Sequence, residues 1–101
     1  MAINEPILTI SVAAQLLNIH PRTIMLYERE KLFTPFRTKT QRRMFSGKDL
    51  EALQFIKFLT QQVGINLKGV KVVLEAISVA EKGGVSLKSL LFPDFKAEKL
   101  F

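Results

Sequence analysis

A chain of 101 residues supports one domain with a modest core, and 48% apolar against 24% charged residues is a globular balance, not a disordered one. The absence of cysteine excludes disulfides, thiolate metal sites and thiol redox switches, while a formal charge of +6 favours a polyanionic partner. Met1 to Pro6 reads as a loose arm, and Ile7 to Ile10 as a short β-prone run that packs under the first helix. Ser11 is placed to cap that helix with its hydroxyl, and Ala13, Leu16 and Leu17 give it one apolar face. Asn18 tolerates the left-handed backbone of a helix stop. Pro21 opens a second helix where its missing N–H costs nothing, with His20 beside it as a capping residue. Ile24 and Tyr27 turn inward from this helix, and Ile19 plugs the gap between the two. Two short helices about a tight turn form a helix-turn-helix, a unit whose second helix enters the DNA major groove.

Pro35 breaks the helical run. Phe36 to Phe45 then reads as an antiparallel ribbon around a polar Lys39-Thr40-Gln41 tip. Ser46 and Asp49 form a capping-box pair for a third helix whose apolar stripe is Leu50, Leu53, Ile56, Leu59 and Val63. Phe55 and Phe58 lie off that stripe and suggest a second contact surface. Gly64 closes the helix and Asn66 caps a fourth, in which Leu67, Val70, Val73, Leu74 and Ile77 recur at helical spacing up to Gly83-Gly84. The boundary falls there: residues 1–82 form the domain, and 83–101 an apolar tail available for a dimer or partner contact. In the tail, Ser86 caps a turn with Leu87, Leu90 and Leu91 on one side, and Phe92, Phe95, Leu100 and Phe101 add surface that calls for burial.

Charge concentrates where the motif lies. Between His20 and Asp49, eight basic residues face three acidic ones, which places +5 of the +6 in this segment. The stretch Arg37 to Arg43 carries four cations and no acid, as suits a wing along a phosphate backbone. With one histidine and no cysteine the sequence offers no metal or cofactor site. It also shows no nucleophile–base pair, carboxylate pair or phosphate-cradling glycine loop, so an enzyme is not expected. No apolar run reaches the length of a membrane span and no signal-peptide layout opens the chain, so a soluble cytoplasmic protein is expected.

The order helix-turn-helix, basic ribbon, capped helix, glycine and further helix resembles the DNA-binding domain of the MerR family of bacterial transcription regulators. Ile10-Ser11 and Ala13 match its entry, and Thr23-Ile24 with Tyr27-Glu28 its recognition helix. Leu32, Pro35, Arg37-Thr38, Arg43-Met44-Phe45-Ser46 and Asp49-Leu50 match its wing and third helix, and Gly64, Leu67 and Val70 its fourth. The runs Ile19-His20-Pro21-Arg22-Thr23 and Asn66-Leu67-Lys68-Gly69-Val70 are most similar to the heat-shock repressor branch, HspR. The resemblance implies a mainly α, winged helix-turn-helix fold with a small β-ribbon wing. It assigns Arg22, Thr23 and Tyr27 to the groove or its flanking phosphates, and Arg37, Lys39, Arg42 and Arg43 to the backbone. It further implies double-stranded DNA as partner, a homodimer on a palindromic promoter element, and DnaK chaperone as a co-repressor of chaperone genes.

Four departures accompany it. Met25 stands where the family has Arg, Lys31 where it has Gly, and the ribbon turn lacks its usual Gly near Thr40. Gly83-Gly84 and Pro93 interrupt the region of the long dimerisation helix. These departures keep a second class open: a protein-interaction module on a MerR-like scaffold, similar to chaperone modulators, or an excisionase-like DNA-binding adapter.

Overall fold

The computed structural model describes residues 3–100; Met1, Ala2 and Phe101, part of the arm and of the apolar tail, lie outside them. Strand β1 (Leu8–Thr9) runs straight into helix α1 (Ile10–Leu17). The cap of α1 is Thr9, not Ser11: the Thr9 hydroxyl accepts the Val12 N–H at 3.3 Å, and Ser11 is exposed inside the first turn. The cause is non-local. Leu8 and Thr9 pair with Phe45 and Met44, and that pairing holds Thr9 in the extended conformation an N-cap needs. Asn18 ends α1 at φ 54, and the Ile19 N–H closes back on the Ala14 carbonyl at 3.0 Å.

Helix α2 (Pro21–Arg29) follows, with the His20 imidazole accepting the Arg22 N–H at 3.0 Å. It closes as α1 does: Leu32 N–H bonds the Tyr27 carbonyl while Lys31 adopts φ 60. A Cβ in this region strains the backbone, by about 1–2 kcal/mol. Lys31→Gly is therefore expected to raise stability by about 0.5–1 kcal/mol, net of the flexibility glycine adds to the unfolded chain, read as a higher urea midpoint.

Strands β2 (Phe36–Arg37) and β3 (Arg43–Phe45) form the expected ribbon, and β1 joins it to give a three-stranded antiparallel sheet ordered β1-β3-β2. At the tip, Gln41 takes φ 66, its N–H bonds the Thr38 carbonyl, and the Thr38 hydroxyl accepts the Arg42 N–H. The left-handed position is thus Gln41, one residue beyond Thr40.

Helix α3 (Gly47–Lys57) starts on the reciprocal Ser46–Asp49 capping box. From Phe58 to Val63 the winding widens into a π-helical stretch that Gly64 ends at φ 85. The wider turn carries Val63 off the inward stripe; it is 44% exposed, correcting its expected burial. Leu50, Leu53, Ile56 and Leu59 are buried with Ala13, Leu17, Ile24, Tyr27 and Phe45 in one core. Lys57 Nζ donates to the Leu17 carbonyl at 2.8 Å, joining α3 to the carbonyl end of α1.

Helix α4 (Leu67–Lys82) begins on Asn66, whose side chain accepts the Gly69 N–H, and buries Val70 and Ile77. A Cβ on Gly69 would lie 2.6 Å from Ile65 Cγ2, so any larger residue there forces the Ile65 side chain to shift. The short α5 (Leu87–Leu91) turns only Leu87 toward the core. Leu90 and Leu91 face solvent, correcting the apolar side expected for this turn, and the Ser86 hydroxyl bonds Ser89 instead of capping the helix.

Burial of the tail comes from the aromatics that follow. Phe92 and Phe95 pack on Phe55 and Phe58 with ring centroids 5.1–5.8 Å apart, and Lys88 Nζ lies 4.4 Å above the Phe55 ring. Further on, the Gln54 side-chain amide brackets the Glu98 backbone, donating at 2.9 Å and accepting at 2.7 Å. At the other end the arm is tied down at Ile3, whose carbonyl accepts the Lys48 N–H at 3.0 Å. No helix among the described residues is long and apolar enough to cross a membrane.

Candidate nucleic-acid interface

The capped turn at His20–Pro21 sets the start of α2, and burial of Ile24 and Tyr27 decides which side of it faces out. That outer side carries Arg22, Met25 and Arg29, at three- and four-residue spacing, all exposed. With Leu26, Glu28 and Arg43 of the ribbon they line one shallow, open hollow. Thr23 is half-buried in the first turn, its N–H bonded to the His20 carbonyl.

Tyr27 belongs to the core. It is buried, with its hydroxyl 3.5 Å from that of Thr60, so its ring presents no surface to a ligand. The structure also revises the reading of an acid-free wing. Glu28 of α2 reaches across to the ribbon, where Oε2 accepts Arg37 at 2.7 Å and Oε1 accepts Arg43 Nε at 2.6 Å. Arg37 additionally donates its other terminal nitrogen to the Gln41 carbonyl at 3.0 Å. Lys39 and Arg42, on the exposed tip, make no salt bridge among the described residues, and neither do Arg22 and Arg29 on α2.

Apart from its place beside Tyr27 among the family anchors, Glu28 figures in the sequence reading as one charge subtracted from the basic segment. Its signal was available: it is the one acid within α2, between Arg22 and Arg29. Burial raises the Glu28 pKa, but the hydrogen bonds and charges of Arg43 and Arg37 outweigh that and hold the carboxyl below its ordinary value of 4.5. The stability it contributes is therefore complete above that ordinary value and is lost as pH falls through the lower folded value. Glu28→Gln is expected to lower the urea midpoint at neutral pH, with the gap from the unsubstituted chain narrowing as pH drops below the ordinary carboxylate range.

Residues 8–77 match the family described as MerR HTH family regulatory protein, well over half of the chain. The chain belongs to the MerR family. It is 44% identical over 72 residues to a Streptomyces coelicolor protein described as heat shock protein HspR, a match covering 71% of this chain and 48% of that one. It is 38% identical over 86 residues to the HTH-type transcriptional regulator GlnR of Bacillus anthracis, covering 78% of this chain and 66% of GlnR, and equally to GlnR of Bacillus cereus. The chain thus spans about half the length of the first relative and about two thirds of the others. The MerR match takes in α1, α2, all three strands, α3 and most of α4, so the hollow and the Glu28 contacts lie wholly within it. It ends before α5 and the aromatic tail. The family is one of regulatory proteins, not of enzymes.

Proposed function

We propose that this chain binds double-stranded DNA through the outer side of α2 and the β2–β3 ribbon, as a sequence-specific transcription regulator. The observation that carries the reading is the shared hollow: Arg22, Met25 and Arg29 of α2 open onto the same surface as Arg43, with Lys39 and Arg42 exposed farther along the ribbon. Arg22 and Thr23, in the first turn of α2, are placed as base readers, and the ribbon acts as a wing whose cations follow the phosphates. Tyr27 supports α2 from the core. Met25 offers a thymine methyl an apolar contact where the family pattern has an arginine.

Within this reading the chain acts as a homodimer on a palindromic promoter element, in the bacterial cytoplasm. The likeness to HspR favours repression of heat-shock genes, with the DnaK chaperone as co-repressor carried over from the family resemblance. A second reading, a protein-interaction module on the same scaffold, draws on the apolar outer face of α4, where Val72 and Val79 are 65% and 68% exposed. The concentration of cations around one hollow favours DNA.

Retention of duplexes with a randomised core at low salt, followed by sequencing of the bound fraction, tests the proposal. The expected outcome is one enriched inverted repeat. Arg22→Ala is expected to relax base preference within each half-site, at a cost of about 1–3 kcal/mol for the base it reads. Retention lost at moderate salt with no enriched sequence would overturn the regulator reading and leave the α4 face as the working surface.

A further inference from the structure

We infer that Glu28 is a positioning residue of this interface, that Arg37 is its internal strut, and that Arg43 is the cation the pair presents to a phosphate. The inference rests on the DNA reading above and divides among named atoms a charge cluster that composition treats as uniform.

The division follows from which nitrogens are engaged. Arg37 commits both terminal nitrogens, one to Glu28 Oε2 at 2.7 Å and one to the Gln41 carbonyl at 3.0 Å. It therefore ties the base of the ribbon to its tip and to α2, with one N–H of each terminal nitrogen already held inside the protein. Arg43 gives only Nε, at 2.6 Å, to Glu28 Oε1. Its two terminal nitrogens donate to nothing among the described residues, and the side chain borders the hollow with Arg22 and Arg29. A guanidinium held by Nε keeps its planar fork of terminal N–H groups for bidentate contact with an anion.

The register explains why a carboxylate is needed there. Arg37 and Arg43 are directly opposed across β2 and β3, and like charges so placed repel. Glu28 removes that repulsion and at the same time fixes the ribbon against the recognition helix. A carboxylate beside a polyanion site opposes binding by charge alone, so the sign of its effect separates the two roles. If charge dominates, removing it tightens the complex. If positioning dominates, removing it weakens the complex although the protein becomes more positive.

The test measures binding of a random-sequence duplex across a salt series by the full chain and by Glu28→Gln, Arg37→Gln and Arg43→Gln. Glu28→Gln is expected to weaken binding about tenfold at low salt. Arg43→Gln is expected to flatten the log–log salt dependence by roughly 0.9, one phosphate contact, whereas Arg37→Gln weakens binding at every salt with the slope unchanged. Equal or tighter binding by Glu28→Gln, or equal loss of slope in both arginine variants, overturns the inference. Both arginines are partly exposed, so their comparison holds even if Glu28→Gln folds poorly.

A chain that binds no duplex at all defeats the DNA reading and leaves the positioning role measurable separately. In the free protein the Arg43 Nε–H resonance should be protected from exchange, and lose that protection in Glu28→Gln. An unprotected Arg43 Nε–H in the unsubstituted chain overturns the clamp itself.

Discussion

Phe45→Ala is expected to destabilise the domain by about 3–5 kcal/mol, lowering the urea midpoint accordingly. Three links converge on this ring. It is completely buried, it stacks on Phe33 at 5.8 Å, and its backbone pairs β3 with Leu8 of β1 directly before the Ser46 capping box. Truncation leaves a cavity between the sheet and the helices, and surroundings made of backbone pairing and a helix cap have little freedom to collapse into it. Against a typical total of roughly 5–15 kcal/mol for a small domain, that loss removes about a fifth or more of the stability. Phe36 on the neighbouring strand is the control. It is more than half exposed, and Phe36→Ala is expected to change stability by no more than about 0.5 kcal/mol. Equal effects at the two positions would contradict the placement of β3 at the centre of the sheet.

Arg43→Ala is expected to weaken DNA binding about 10- to 100-fold at low salt, the worth of a charged hydrogen-bonded contact of roughly 1.5–3 kcal/mol. The loss should be similar for every sequence, because a phosphate contact carries no base information, and the salt dependence should flatten with it. Arg22→Ala has a different signature, with changed preference at particular bases. Two variants with one signature would contradict the separation of base reading from backbone contact. The fold is not expected to suffer in step: Arg43 lies at the rim, and its removal leaves Arg37 still bonded to Glu28 and Gln41.

Local chemistry was legible in the residues. The stop at Asn18, the His20–Pro21 start, the Ser46–Asp49 box, the close at Gly64 and the cap at Asn66 each involve groups within six residues of one another, and each appears in the structure as read. The strained backbone at Lys31 was also visible, from the missing glycine. What escaped was long-range or depended on phase. Thr9 displaced Ser11 because β1 pairs with a strand more than thirty residues later. Val63 left its stripe because the π-helical stretch changed the period of the pattern beneath it. Glu28 reaches partners 9 and 15 residues away, and Gln54 holds Glu98 from 44 residues away; periodicity carries no information about such pairings. The tail's need for burial and the off-stripe surface of Phe55 and Phe58 were both legible, but not that the one covers the other. The family was legible because its anchors are spread from Ile10 to Val70 and are separately specific.

The most direct test of the interface is the salt dependence of duplex binding by the unsubstituted chain. With Arg29, Lys39, Arg42 and Arg43 available to phosphates, the logarithm of the binding constant should fall linearly against the logarithm of salt, with a slope of roughly −3 to −4 per protomer. A complex whose affinity does not change with salt would contradict a cation-lined interface built on α2 and the ribbon.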